Sequence, residues 1–324
     1  MKCITSILAL ALVLTTLLTA CSPAANTPES TEATQMKNIY QKEDPAKDDT
    51  LNILMIGNSG CYYFVEELYG LAEAAGIKMR VCNVYYSGCT LNQHWTWWKN
   101  GEANYDFYTT DENGRVKTAE GCTLEYCLQQ QNWDFISLQE ASTGVLRDVP
   151  MDAYLGERKQ YLDDLFGYLK AQFPMSKLCW QQNSAYQVGY SGSYAVNSLE
   201  DQIQDTNNYR EVAIKVSEQY NLDWIPRGEA SLIMRQGGYD NLCARLGKGE
   251  PLHSGDNYHD GDIGGGQYLT ACVWLEMLTG ESCIGNSYRP VYTYQTQTFE
   301  LEEDFVVKLQ EAAHQAVAAV REGE

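Results

Sequence analysis

Ile53-Leu54-Met55-Ile56-Gly57-Asn58-Ser59-Gly60 decides the reading of this chain. Four consecutive apolar residues stop at a Gly-Asn-Ser-Gly run. That pattern reads as a buried parallel strand feeding a tight turn. In an open α/β sheet, ligands bind where strands end at their carboxyl edge. Ser59 stands at that edge, ahead of a helix expected to begin near Phe64. Two roles are open to a serine there: a helix N-cap, the ordinary one, or a nucleophile.

The pattern repeats downstream. Expected strands are Leu51 to Ile56, Met79 to Tyr85, Asp134 to Gln139, Lys177 to Gln182 and Leu222 to Ile225. Between them, apolar residues recur at helical spacing, as in Phe64, Leu68, Leu71 and Ala75, a run closed by Gly76. Helices are expected over 90–99, 123–131, 154–172, 199–220, 228–244, 267–278 and 301–321. Five short strands alternating with helices imply a three-layer α/β/α sandwich around a five-stranded parallel sheet. Residues 101–121 interrupt the alternation. Their two β-rich runs flank Asp111-Glu112-Asn113-Gly114, so an inserted hairpin is expected. No GxGxxG follows the first strand and no P-loop motif occurs, which removes the usual nucleotide-phosphate cradles.

Upstream, Lys2 and the apolar stretch Ile4 to Leu18 form a secretory signal over residues 1–20. It closes on Leu18-Thr19-Ala20-Cys21, which resembles a bacterial lipobox and implies lipidation of Cys21. Residues 21–48 are rich in Ser, Pro, Thr, Ala, Glu, Lys and Asp. They cannot bury enough apolar surface to offset their ordering entropy, so a flexible tether is expected. Residues 49–324 remain for one α/β domain. The expected location is extracytoplasmic, held to the cell membrane by the lipid. The chain carries 23 basic and 43 acidic residues, a formal net charge of -20. Such a surface repels nucleic acid and anionic lipid. No CxxC pair occurs among the cysteines, so a structural zinc site is not expected.

Nucleophilic serine chemistry needs a base and a group that orients it. The chain has four histidines: His94, His253, His259 and His314. His314 falls in the last helix. His94 sits among tryptophans and is a candidate for a substrate wall. His259 follows Asp256 by three residues on a polar loop. An Asp there can accept from His Nδ1 and leave Nε2 facing a nucleophile, or it can close an Asx-turn beside a solvated His.

Taken together, Gly57-Asn58-Ser59 after the first strand, Gly88 after the second, Gln139 after the third, and Asp256-x-x-His259 resemble the four blocks of the SGNH (GDSL-like) hydrolases. With Gly266-x-Tyr268-x-x-Ala271 they are most similar to the bacterial DUF4886 type. The resemblance spans about residues 51–280. It implies a flavodoxin-like sandwich and a metal-free esterase. Ser59 would be the nucleophile, His259 the general base and acid, and Asp256 its orienter. The oxyanion hole would be formed by the Ser59 and Gly88 N–H groups and the Gln139 side chain. Three features depart from the family pattern: Asn58 in place of Asp, Gln139 in place of Asn, and the acidic run Asp260-Gly261-Asp262 beside the base. That run partly mimics a calcium loop, but Gln267 stands where such a loop needs Glu.

Trp95, Trp97, Trp98 and tyrosines 62, 63, 85, 86, 186 and 190 fall near expected strand ends, where aromatic rings can stack on sugars, although plain core and rim packing is the commoner role for any one of them. The sequence therefore points to an exported esterase that removes acetyl-like groups from carbohydrate, with a glycan or small-molecule ester as its partner. The rival reading is a non-catalytic glycan-binding lipoprotein on the same fold.

Overall fold

Every residue of β1 (Leu51–Gly57) is buried, which explains the apolar run from Ile53 to Ile56. Ile53 and Met55 enter one core and Leu54 and Ile56 the other. A strand with both faces covered has no polar side to alternate with. The computed structural model describes residues 49–141, 147, 149–190, 195–239, 245–246, 250–251, 264–294 and 297–322. These residues belong to one compact unit.

The strands are β1, β2 (Met79–Tyr85), β3 (Tyr105–Asp111), β4 (Gly114–Cys122), β5 (Phe135–Leu138), β6 (Lys177–Gln181) and β7 (Asp223–Ile225). They form one sheet in the order β4-β3-β2-β1-β5-β6-β7. β2, β1, β5, β6 and β7 run parallel, the doubly wound order of a flavodoxin-like fold. The sheet thus has seven strands where five were expected. The two extra strands are the inserted hairpin, which pairs antiparallel along the outer edge of β2. A hairpin needs only a short loop to reach an open edge, and Asp111 Oδ1 braces that loop by accepting from Asn113 N–H at 2.9 Å.

One face of the sheet is covered by α2 (Leu91–Asn100), α3 (Leu124–Leu128), α4 (Met151–Gln172) and α5 (Leu199–Tyr220). The other carries α1 (Val65–Ala74), α6 (Arg227–Gln236), α7 (Gly265–Thr279) and α8 (Glu303–Glu322). α7 is apolar all round and buried along almost its whole length, because α1, α6 and α8 all pack against it. α6 stops at Gln236, short of the expected 244. Gly237 follows as its C-cap, and Gly238 turns the chain at φ +91°. No helix among the described residues is long and apolar enough to cross a membrane.

The sheet register aligns the carboxyl ends. Gly57 pairs with Tyr85, Ile56 with Leu138, Leu138 with Trp180, and Gln181 with Ile225. Strand order reverses between β1 and β5, so the crevice of the fold opens between Ser59 and Gln139.

Candidate active site

Ser59 opens a single 3₁₀ turn, Ser59–Cys61, directly after β1. Asn58, not Ser59, is its N-cap. Asn58 Oδ1 accepts from Gly60 N–H at 2.9 Å, and its Nδ2 donates to the Cys89 carbonyl at 2.8 Å. The N-cap of α1 is Phe64, which makes no side-chain cap bond. Neither helical start uses the Ser59 hydroxyl. Its side chain is half-buried and makes no hydrogen bond among the described residues.

Gly88 lies in the turn after β2, where Cys89 N–H donates to Tyr86 O at 3.2 Å. Its φ of +66° suits a residue without Cβ. The bond from Asn58 to Cys89 O ties this turn to the Ser59 turn. A second tie comes from Glu140, buried after β5. One carboxylate oxygen accepts from the N–H groups of Leu91 and Ala141, at 2.9 and 2.8 Å, and the other from Arg158 Nε at 2.9 Å. A carboxylate at the first turn of α2 also meets the positive end of the helix dipole.

Gln139 lies under the Ser59 turn, fully buried. Its Nε2 donates to Asn58 Oδ1 at 2.5 Å, and its Oε1 accepts from Gln181 Nε2. The extra methylene relative to Asn fits because Gly57 has no Cβ. A Cβ there would lie 2.7 Å from Gln139 Cγ. Gln139 is therefore clamped from both sides, with one Nε2 N–H committed to Asn58.

Asp256 and His259 lie outside the described residues, as do His253, Asp260 and Asp262. α7 begins at Gly265, later in the chain. There Gln267 Oε1 accepts from Gly264 N–H at 3.2 Å, so Gln267 caps the helix.

His94 is not a wall of the site. It is buried against the hairpin, its ring stacked on Tyr105 and its Nδ1 sharing a hydrogen bond with Tyr105 Oη at 2.9 Å. Burial holds its pKa down to about 3, so it is neutral. Trp95 and Trp98 face Tyr161 and Tyr168 of α4, and Trp95 Nε1 donates to Asp164 at 2.8 Å. These indoles fasten α2 to α4. His314 pairs instead with buried Glu276 at 3.1 Å.

Sequence reasoning missed Gln181, Arg227, Trp274 and Arg115. Gln181 Nε2 and Arg227 Nη1 both donate to the Gly60 carbonyl, at 2.9 and 2.6 Å. Trp274 Nε1 donates to Gln181 Oε1 at 2.9 Å. From the hairpin, Arg115 stacks over Tyr62 at 4.2 Å, donates to Tyr62 O at 2.8 Å and pairs with Glu66 at 3.2 Å. The insertion thus braces the segment that follows Ser59. A signal existed for Gln181: like Gln139, it is an amide ending an apolar strand. Trp274 carried a weaker one, since a buried indole must find an acceptor. Cys61 is fully buried and its thiol is pushed up to about 12 by desolvation, so it stays protonated beside Ser59. Among the described residues, no three metal-ligating side chains gather.

The family model for a domain of unknown function, DUF4886, matches residues 52–304. A DUF4886 family protein from Bacteroides uniformis superposes with a TM-score of 0.66 at 26% identity, covering 83% of this chain and 95% of that one. A putative GDSL-like lipase from Parabacteroides merdae gives a TM-score of 0.43 at 14% identity, covering 72% and 96%. An acetylxylan esterase from Geobacillus stearothermophilus gives 0.41 at 14%, covering 70% and 94%. Among curated proteins, none matches.

Proposed function

The chain belongs to the DUF4886 family, and from that premise we propose that it is a serine esterase of the SGNH type. We further propose that it is exported, anchored through a lipid on Cys21, and removes acetyl-like groups from carbohydrate. The observation that carries the esterase reading is the Ser59 hydroxyl. It stands at the carboxyl end of the central strand, beside the point where strand order reverses, with the capping work taken over by Asn58.

In this mechanism Ser59 Oγ attacks the ester carbonyl while His259 takes its proton. Asp256 accepts from His259 Nδ1 and stabilises the imidazolium. The N–H groups of Ser59 and Gly88 and the Gln139 amide hold the oxyanion. The tetrahedral adduct collapses, and the sugar hydroxyl leaves with the proton from His259. Water, deprotonated by the same histidine, then frees the acyl group. Preorganised donors of this kind typically contribute about 10²- to 10³-fold each. The carbohydrate part of the proposal rests on the aromatic residues after β1 and β2, where Tyr62 and Tyr85 lie 4.4 Å apart and Tyr86 is exposed.

A fluorophosphonate and p-nitrophenyl acetate test the reading together. The wild type is expected to form a covalent adduct at Ser59 and to hydrolyse the ester, and Ser59→Ala to do neither while keeping its fold. Equal hydrolysis by both proteins would remove Ser59 from the mechanism. A folded wild type that is neither labelled nor active would favour the rival glycan-binding reading, which the commitment of one Gln139 N–H to Asn58 supports.

A further inference from the structure

Behind Ser59 runs a buried line of amides with chemically distinct ends. The Trp274 indole donates to Gln181, Gln181 to Gln139, Gln139 to Asn58, and Asn58 to the Cys89 carbonyl. All four side chains are at most 6% exposed. An amide can be turned either way round without changing its shape. Here the ends remove that freedom. An indole N–H can only donate and a carbonyl can only accept. With a donor at one end and an acceptor at the other, each of the three amides has one orientation that leaves no oxygen facing oxygen. Gln181 is pinned twice, because its other N–H donates to Gly60 O at 2.9 Å. Asn58 Oδ1 likewise accepts from both Gln139 and Gly60 N–H.

The direction of the line fixes what Gln139 presents to the turn. Its NH₂ group points to Asn58, while its oxygen points to Gln181, and both atoms border Gly60. Gly60 leaves room for the NH₂ group, since a Cβ there would lie 3.0 Å from Gln139 Nε2. One N–H goes to Asn58, and among the described residues the other has no acceptor. Reversed, the amide would turn its oxygen toward Asn58 and repel an oxyanion on that side.

We propose that Trp274 and Gln181 are positioning residues that set the direction of this relay and thereby aim the second N–H of Gln139 at the oxyanion. The inference rests on the esterase reading of Ser59. Trp274 is 215 positions from Ser59 in sequence, so α7, which follows Asp256 and His259 along the chain, also helps orient a donor beside the nucleophile.

Gln181→Glu keeps the shape and reverses the demand: an ionised carboxylate only accepts, so Gln139 must turn its NH₂ toward position 181. The expected result is a fall of about 10²-fold in kcat for p-nitrophenyl acetate, the cost of losing one oxyanion donor. KM should stay within about 3-fold, because the lost interaction forms only in the transition state. As pH falls, the introduced carboxyl gains an O–H that can donate to Gln139 Oε1. The ratio of variant to wild-type kcat should therefore rise toward acid pH. A flat ratio, or a change in KM alone, would overturn the proposal. Should Gln181→Glu fail to fold, Trp274→Phe removes only the terminal donor and should lower kcat by about 10-fold at constant KM. Unchanged kcat in that variant would overturn it equally. Side-chain amide signals in ¹⁵N NMR spectra give a readout independent of catalysis. Trp274→Phe should shift Gln181, Gln139 and Asn58 together, and a shift confined to Gln181 would break the relay. Failure of the esterase reading shows separately, as a wild type without a fluorophosphonate adduct at Ser59.

Discussion

Gly57→Ala tests whether the Ser59 turn and Gln139 are fitted to each other. The added Cβ would lie 2.7 Å from Gln139 Cγ and 2.9 Å from both Gln139 Cδ and Cys61 Sγ. Carbon atoms pack at about 3.5–4.0 Å, so something must retreat by nearly an ångström. Gln139 cannot do so freely, because its amide bonds to Asn58 on one side and Gln181 on the other. Cys61 is buried with its Sγ on Asn58 O at 3.3 Å. Overpacking of this kind costs about 1–3 kcal/mol. Dislodging a buried hydrogen bond costs about another 1–3 kcal/mol. The expected loss is therefore about 2–6 kcal/mol, read as the shift in urea midpoint at constant m-value. Gln139→Asn withdraws one methylene and should relieve part of the clash. In the double variant, the two costs should fall short of their sum by about 1 kcal/mol or more. If Gly57→Ala costs less than about 0.5 kcal/mol, or the two changes simply add, the fitted pair does not exist.

Two further outcomes follow from the same structure. His94 is held neutral in the fold, with its pKa near 3 against about 6.5 in an unfolded chain, so the unfolded state alone takes up a proton between those values. Its contribution to stability is whole above pH 6.5 and is lost toward pH 3, by about 1.4 kcal/mol per pH unit. Urea titrations at pH 7.5 and 5 should show His94→Asn, whatever its stability at pH 7.5, losing about 2 kcal/mol less than wild type over that interval. Equal losses would show that His94 is not the group responsible. Cys21→Ala should move the full-length protein from the detergent to the aqueous phase of Triton X-114, and an unchanged distribution would refute the lipid anchor.

The sheet was legible because burial on both faces writes itself into consecutive residues. β1 and β5 are short, mostly apolar strands, one ending at Gly57 and the other followed by Gln139, and their ends are the places where side chains can face solvent. The hairpin was legible as an insertion, but its partner was not. Nothing in Tyr105 to Cys122 states that the open edge of β2 will take it, because that depends on an unpaired backbone edge elsewhere in the chain. Two of the indoles show the same limit. Trp95 and Trp98 lie near the end of β2 in sequence, yet a residue ten positions past a strand end can turn inward. Here both face α4. The β-hairpin of Val291–Tyr294 and Gln297–Glu300 gave no expectation at all, since two strands of four residues barely exceed the alternation seen in loops.

The substitution of Gln for Asn after β5 reads differently once its surroundings are known. From sequence alone, an added methylene pushes an oxyanion donor out of place. In the fold that methylene occupies the space of a Cβ missing from Gly57, and the amide it carries is held by Gln181 and Asn58. Asn58 is the second departure from the family pattern, and it accepts from the longer amide while donating to the Cys89 carbonyl. An Asp at that position could accept from Gln139 and Gly60 but could not donate to Cys89 O. Asn58 does both at once. An aspartate at 58 would leave the Cys89 carbonyl without its donor and loosen the Gly88 turn, the other half of the proposed oxyanion hole.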